Sequence, residues 1–473
     1  MPNQPENKEI QYFAARKQIY PRAVSGFYRA LKWIILTVCL GVYYLAPFLR
    51  YDRGPNAPDQ AILIDLNHGR AYWFMVEIWP QEVYYLTGIL ILAAIVLFAA
   101  TAILGRVWCG YFCFQTVWTD LFMLVERWIQ GDRNARIKLD ASPWTISKFL
   151  KKLATHISWL FIGLITGGAF ILYFNDAPEL MWKILNGDIP KTPALFALGL
   201  MVSTYIMAGI AREQVCTFMC PYARFQSAML DRDSLIVTYD PLRGEPRAAH
   251  KKGDPWGDRS HCIDCGMCVQ VCPTGIDIRN GLQMQCIACA LCIDACDNVM
   301  DKIGLPRGLI RYDTENDMES KASGGNAAFR LIRPRTIYYM ALISIIGLTM
   351  LAALIARPNA ELHVLQDRNP LFVTLSDGSI RNGYVIKILN RTYEDQAFRL
   401  DAIIDGQKPL DLSGLQDQKA GWLKVEPDSV GEFKFFVTLK PDSAPDHIDF
   451  SITNLSDKKV YHRSATFSSH QVD

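Results

Sequence analysis

Twelve of the chain's thirteen cysteines fall into two kinds of spacing. Residues 262–272 read CIDCGMCVQVC and residues 286–296 read CIACALCIDAC, so each stretch is C-x2-C-x2-C-x3-C. Thiolates are soft donors that suit iron–sulfur clusters. In this arrangement three close cysteines wrap one corner of a cubane, and the fourth reaches across to the other cluster. The spacing therefore predicts one 4Fe–4S centre on Cys262, Cys265, Cys268 and Cys296, and a second on Cys286, Cys289, Cys292 and Cys272. Zinc sites or free thiols are the plain alternative, and eight cysteines in this register speak against it. Gly266, Gly275 and Gly281 suit tight turns beside the clusters.

The other four cysteines form two C-x3-C pairs, Cys109 with Cys113 and Cys216 with Cys220, in RVWCGYFCFQTVW and QVCTFMCPYARFQ. Each pair follows an apolar run. On a helix, residues four apart share a face. Three readings stay open: small apolar side chains packing at span ends, a dithiol that cycles with a disulfide, or a soft-metal site. Soft sulfur favours Cu(I), and Met219 adds a thioether nearby. His156, at the start of an apolar span, is a further candidate metal ligand, with an interfacial role as its ordinary explanation. His68 and Glu77 lie on a different loop and would serve chemistry at the opposite face.

These residues need elements to hold them. Five windows, 33–49, 84–104, 155–174, 193–210 and 337–356, are apolar enough to cross a bilayer core of roughly 30 Å. Residues 1–32 carry six Lys and Arg and residues 105–154 carry eight, against three in 50–83 and two in 175–192. The positive-inside rule puts the N-terminus and the cluster loop in the cytoplasm and the segment after Ala356 outside. No signal-peptide core precedes the first span. Residues 357–473 contain no cysteine, the reverse of a disulfide scaffold. They switch to period two in NGYVIKILN (382–390), EFKFFVTL (432–439) and HIDFSITN (447–454), with turn signals at SDGS, IDGQKP and EPDSVG. Seven or eight short strands predict an immunoglobulin-like sandwich.

The expected fold class is thus an α-helical integral membrane protein of five transmembrane helices, with a ferredoxin-like double 4Fe–4S domain and an all-β C-terminal domain. The divisions are an N-terminal segment 1–32, four spans within 33–210, the cluster domain 211–336, a fifth span 337–356 and the exported domain 357–473. A net charge of +2 gives no basis for a nucleic-acid partner. No G-x-G-x-x-G follows a strand, and no C-x-x-C-H marks covalent haem.

WCGYFCFQTVW, CTFMCPYARFQSAMLDRDSLIVTYDPLRGEPR and the double ferredoxin motif resemble the CcoG family, also called FixG or RdxA; YPRAVSGFYR and IWPQE fit the same likeness. It covers nearly the whole chain. The resemblance implies an accessory protein for assembly of cbb-type cytochrome c oxidase in the bacterial inner membrane, with two 4Fe–4S clusters and an immunoglobulin-like tail. It further implies a cupric reductase that converts Cu(II) to Cu(I), with Cys109, Cys113, Cys216 and Cys220 as the copper site. Implied partners are copper ions, copper chaperones or a transporter, oxidase assembly proteins and membrane lipid; a homo-oligomer is left open. Phe114 stands where the family usually has proline, and Pro221 keeps it. Two rivals remain: a quinol dehydrogenase feeding a reductase, and a non-redox copper-binding scaffold.

Overall fold

A computed structural model describes residues 18–469, apart from 55–56, 251–255, 257–258, 326–328, 405–411, 414–421 and 441–444. The described residues form two compact units that divide within the last apolar helix, after Thr349; Arg50–Asp59 belong to the second.

The first unit is built on helices. In chain order these are α1 (Phe27–Leu45), α2 (Val83–Leu104), α3 (Phe114–Gln130), α4 (Arg133–Ala141), α5 (Ile146–Ile171), α6 (Ala177–Leu185), α7 (Lys191–Thr204), α8 (Pro221–Met229), α9 (Pro241–Gly244), α10 (Met267–Val271), α11 (Leu291–Ile303), α12 (Glu315–Ala322) and α13 (Pro334–Ile355). Among the described residues, five stretches are long and apolar enough to cross a membrane: Phe27–Phe48, Pro80–Leu104, Ile146–Ile171, Lys191–Ala211 and Pro334–Ile355. The first and third start ahead of the expected 33 and 155. Their opening turns carry Arg29 and Lys32, or Lys148, Lys151 and Lys152, which lower the local hydropathy without breaking the helix. Lys32 and Arg29 find partners inside the protein, pairing with buried Asp120 of α3 at 2.8 and 3.3 Å. Between the second and third spans, residues 105–145 are largely helical.

α5 and α7 pack closely because α5 presents Gly163 and Gly167 to its neighbour. A Cβ on Gly167 would stand 2.6 Å from the carbonyl oxygen of Ala197. Small residues four apart are the usual means by which membrane helices approach each other. A three-stranded sheet, β1 (Ile62–Asp65), β2 (Arg70–Trp73) and β3 (Val76–Ile78), fills the connection from α1 to α2.

The cluster loops dock on the α1-start, α2-end side of this bundle. Asp294 of α11 accepts from the backbone N–H groups of Tyr28 and Arg29, at 3.2 and 2.7 Å. A carboxylate at that position satisfies orphan donors at the helix N-terminus and opposes its dipole. Gly26 is required there, since any Cβ would collide with the Asp294 carboxyl. Past the end of α2, Leu235 donates its N–H to Ile103 across 3.1 Å. Strands β4 (Ile236–Tyr239) and β5 (Ile310–Asp313) pair antiparallel and bracket the cysteine loops in the chain.

The second unit is a sandwich of two antiparallel sheets. Its strands are β6 (Ala360–Gln366), β7 (Val373–Thr374), β8 (Ile380–Asn390), β9 (Gln396–Ile403), β10 (Leu412–Ser413), β11 (Trp422–Val425), β12 (Ser429–Leu439), β13 (His447–Asn454) and β14 (Val460–Thr466). One sheet runs β10-β12-β8-β6 with β7 on β8; the other runs β11-β9-β13-β14. Tyr384, Phe398, Phe435 and Phe450 are fully buried between them. The nine strands among the described residues exceed the expected seven or eight because β7 and β10 are two residues long, too short for a periodic signal. The turn expected at IDGQKP lies outside the described residues beyond Ile404.

Candidate metal centre

The two cluster loops share one backbone plan. In each, the residue before the second cysteine is left-handed, Asp264 at φ 51° and Ala288 at φ 51°. The residue after it is left-handed too, Gly266 at φ 64° and Ala290 at φ 60°. Left-handed backbone costs a non-glycine residue roughly 1–3 kcal/mol. It persists here at Ala288 and Ala290, which are buried beside the cysteines. Short helices α10 and α11 then begin directly after these turns and carry Cys268 and Cys292.

Burial, and after it the neighbours Cys268, Asp297, Cys265 and Cys262, push the Cys296 thiol up to about 12. Cys292 is likewise raised, by burial first and then by Cys289, Cys286, Cys272 and Cys268. The fourth thiol of each stretch thus faces the triad of the other. Among the described residues no three His, Cys, Asp or Glu side chains stand close enough to grip a single metal ion. A cubane spreads its thiolates over separate irons, so two dispersed four-thiol sets fit a cluster in each. An apolar cavity lined by Val237, Cys268, Cys272, Ile278, Cys286 and Cys292 lies between them.

The C-x3-C pairs occupy π-turns, not the α-helical turns that the spacing alone suggests. Trp108–Phe112 and Val215–Met219 are π-helical. Cys113 N–H donates to Trp108 and Cys220 N–H to Val215, at 2.9 and 2.8 Å. Such turns concentrate at functional sites. Each second cysteine then turns extended and caps the next helix, Cys113 on α3 and Cys220 on α8. The turn after Cys113 matches that after Cys220, although Phe114 replaces proline.

The four thiols converge. Burial first, then Cys113, pushes Cys109 up to about 12. Cys216 also reaches about 12, through burial and then Cys113 and Cys220. Cys113 is raised by burial, against backbone N–H groups of Thr116 and Gln115 that aim at its sulfur. A lone soft ion here would engage a pair of these thiols, since no three reach it together. The two motifs brace each other. Cys109 Sγ donates to buried Gln226 Oε1 at 3.3 Å, and Gln115 Nε2 donates to the carbonyls of Met207 and Arg212, at 2.8 and 3.1 Å.

This thiol set lies against the second cluster loop. Cys109 and Cys216 pack on the group formed by Val271, Ile287, Cys289, Leu291 and Ala295. Arg106 donates from Nη1 to the carbonyls of Met284 and Cys286 and from Nη2 to that of Ala223, joining cluster loop, first pair and α8. Arg106, Tyr111 and Gln226 were not singled out by spacing. Their only sequence signal is that they sit within the two cysteine motifs. His156 is placed elsewhere: its Nδ1 is held by the Tyr205 hydroxyl at 2.9 Å, in a cavity lined by none of the thiols. Met219 is exposed beside Cys220.

Residues 211–315 match a 4Fe–4S dicluster domain, residues 86–134 a 4Fe–4S binding domain, and residues 350–470 the IG-like fold at the C-terminal of FixG. Among curated proteins, nitrogen fixation protein FixG of Rhizobium meliloti is 47% identical over 463 residues, covering 90% of this chain and 87% of the relative. Protein RdxB of Cereibacter sphaeroides is 49% identical over 414 residues, covering 87% of each. A crystal structure of a FixG-related protein from Vibrio parahaemolyticus aligns with 24% of this chain and 96% of its own length, at 25% identity and a TM-score of 0.20. With near-half identity to FixG and RdxB along most of their length, 4Fe–4S domains and the FixG C-terminal fold, this chain belongs to the FixG/RdxA family of membrane iron–sulfur proteins.

Proposed function

We propose that this 4Fe–4S membrane protein reduces Cu(II) to Cu(I) at Cys109, Cys113, Cys216 and Cys220, with clusters on the two swapped sets of four cysteines, for copper delivery in cbb-type oxidase assembly. The observation that carries the reading is the packing of Cys109 and Cys216 against the loop that bears Cys289. We place the thiols, the clusters and the N-terminus in the cytoplasm, and the sandwich in the periplasm, on the Lys and Arg balance of the flanks.

When bound, the clusters supply single electrons. The protein's own residues do the rest. Cys109 and Cys216, raised to about 12, hold their protons until a soft cation displaces them. The backbone N–H groups of Thr116 and Gln115 favour the Cys113 thiolate, as an N-terminal helix end does. A thiolate pair prefers Cu(I) over Cu(II), so substrate copper becomes easier to reduce there. Gln226 and Thr116 hold the first motif in place, the latter donating to the Cys109 carbonyl at 2.5 Å.

A second reading has its own support. The matched 4Fe–4S binding domain at 86–134 contains only Cys109 and Cys113 as cysteines, so the four thiols could instead hold a third cluster. Serine at each of the four positions separates the two. The copper reading expects loss of Cu(II) reduction with iron steady at roughly eight per chain. Iron falling from roughly twelve to eight would instead assign the thiols to a cluster.

A further inference from the structure

A cavity of about 270 Å³ lies between the C-terminal half of α3, the N-terminal half of α5 and the π-turn Tyr205–Ala211 that follows α7, and none of the chemistry above uses it. Its lining includes Glu126, Gln130, Lys152, His156, Trp159 and Ile210. Ionisable residues within a membrane span mark functional sites by default. The cavity is slightly below the usual range for small-molecule sites, which begins at about 300 Å³, so it suits a ring-sized head group alone. Polar and aromatic groups share its walls. Tyr205 holds His156 Nδ1 at 2.9 Å, leaving the other ring nitrogen for a ligand. The His156 ring meets Trp159 edge-on at 5.3 Å. Gln130 is tied to Lys152 and to Thr155, at 3.0 and 2.8 Å.

Two further features choose the ligand. Ile210 lines the cavity and is 44% exposed within the Lys191–Ala211 span, so that edge opens toward lipid. Arg212 and Glu213 line both this cavity and the neighbouring one that contains Cys216. The site thus joins a lipid-side opening to the thiol centre.

We propose that this cavity binds the head group of an isoprenoid hydroquinone, whose tail remains in the bilayer, and that the hydroquinone is the electron donor. The inference rests on the copper-reduction reading for its acceptor. One hydroquinone becomes one quinone, losing two electrons and two protons, and two substrate Cu(II) ions become two Cu(I). His156 accepts each proton from a hydroquinone oxygen and passes it to water at the cluster end of the spans.

The test uses purified, cluster-loaded full-length protein under anaerobic conditions, either supplied with decylubiquinol or pre-reduced with dithionite and freed of the excess, which would itself reduce Cu(II), with bathocuproine to trap Cu(I). The expected result is one quinone formed per two Cu(I), and quenching of tryptophan fluorescence by decylubiquinone. His156→Ala should lower the ratio of quinol-driven to dithionite-driven rates on the order of a hundredfold and abolish the quenching. Ile210→Trp, which crowds the lipid-side opening and leaves His156 in place, should raise the quinol KM. If dithionite-reduced protein, freed of the excess, forms no Cu(I), the copper reading fails. In that case quinol-dependent bleaching of the iron–sulfur absorbance, lost in His156→Ala, still sustains the cavity assignment. Wild-type protein that neither bleaches nor quenches, or variants that keep the wild-type ratio and KM, would overturn it.

Discussion

Tyr111 donates its phenolic hydrogen to the carbonyl oxygen of Cys289, 3.2 Å away. One residue lies inside the first C-x3-C pair and the other inside the second cluster triad. The bond is buried, and beside it Gly110 leaves no room for a Cβ, which would collide with the carbonyls of Ile287 and Ala288. The two cysteine systems therefore meet through the Tyr111 side chain and at Gly110, where the lack of a side chain lets the motif lie against the loop.

Gly110→Ala tests that contact. The new Cβ would stand 2.7 Å from the Ile287 carbonyl oxygen, so the motif and the loop must separate. Small misplacements of this kind cost about a hundredfold in rate. Cu(II) reduction by dithionite-reduced protein freed of the excess should fall by about that factor while the iron content holds. An unchanged rate would mean that electrons do not cross here.

The swapped ligand sets make separable predictions. Cys272→Ala should remove the cluster of Cys286, Cys289 and Cys292, and Cys296→Ala that of Cys262, Cys265 and Cys268. Iron analysis of either variant should drop by roughly four per chain. Mössbauer or EPR spectra should show that the remaining centre differs between the two. Loss of the same centre in both variants would refute the exchange.

Acid should expose one polar network that braces the cluster domain. Burial favours the neutral form of Asp313, but hydrogen bonds with Asp317, Arg311 and Lys321 outweigh it and hold the carboxyl at about 2, below its ordinary 3.8. A lowered folded value adds stability that is complete above 3.8 and disappears as pH falls toward 2. Thermal unfolding of Asp313→Asn should therefore lie below wild type by a constant amount near neutral pH. That gap should narrow only in acid. A gap that widens in acid would contradict the assignment.

Sidedness has a direct reporter. An export-dependent phosphatase fused after Asp473 should be active, and the same enzyme fused after Gly253 should be silent. The reverse pattern would put the cysteine loops in an oxidising compartment and remove the basis for the cluster and copper readings alike.

Spacing and periodicity made much of this protein legible. The ferredoxin motifs announce themselves because three of the four cysteines in each sit within seven residues, and their loops repeat the same turns. Apolar windows located the five long apolar helices found among the described residues, since lipid demands continuous apolar length. Helix starts were the weak point. The charged turns of α1 and α5 look unlike membrane, yet Asp120 and the carbonyls of Asp140 and Ser142 satisfy Lys32 and Lys148 inside the fold. Strands of two residues left no period to read.

By itself the sequence determined which atoms are available: eight thiols in ferredoxin register, four in two pairs, and five stretches that lipid would accept. Those properties are local, set by residue type and by separations of a few positions. Tertiary structure decided which of them meet. Asp294 docks the cluster helix on the start of α1, and Gly110 lets the first pair touch Ile287. Glycines 163 and 167 bring α7 against α5, and His156 faces a cavity shared with Trp159 instead of the thiols. The reason is physical. Such contacts join residues tens to hundreds of positions apart, and their geometry follows from close packing in three dimensions, which no short-range pattern encodes.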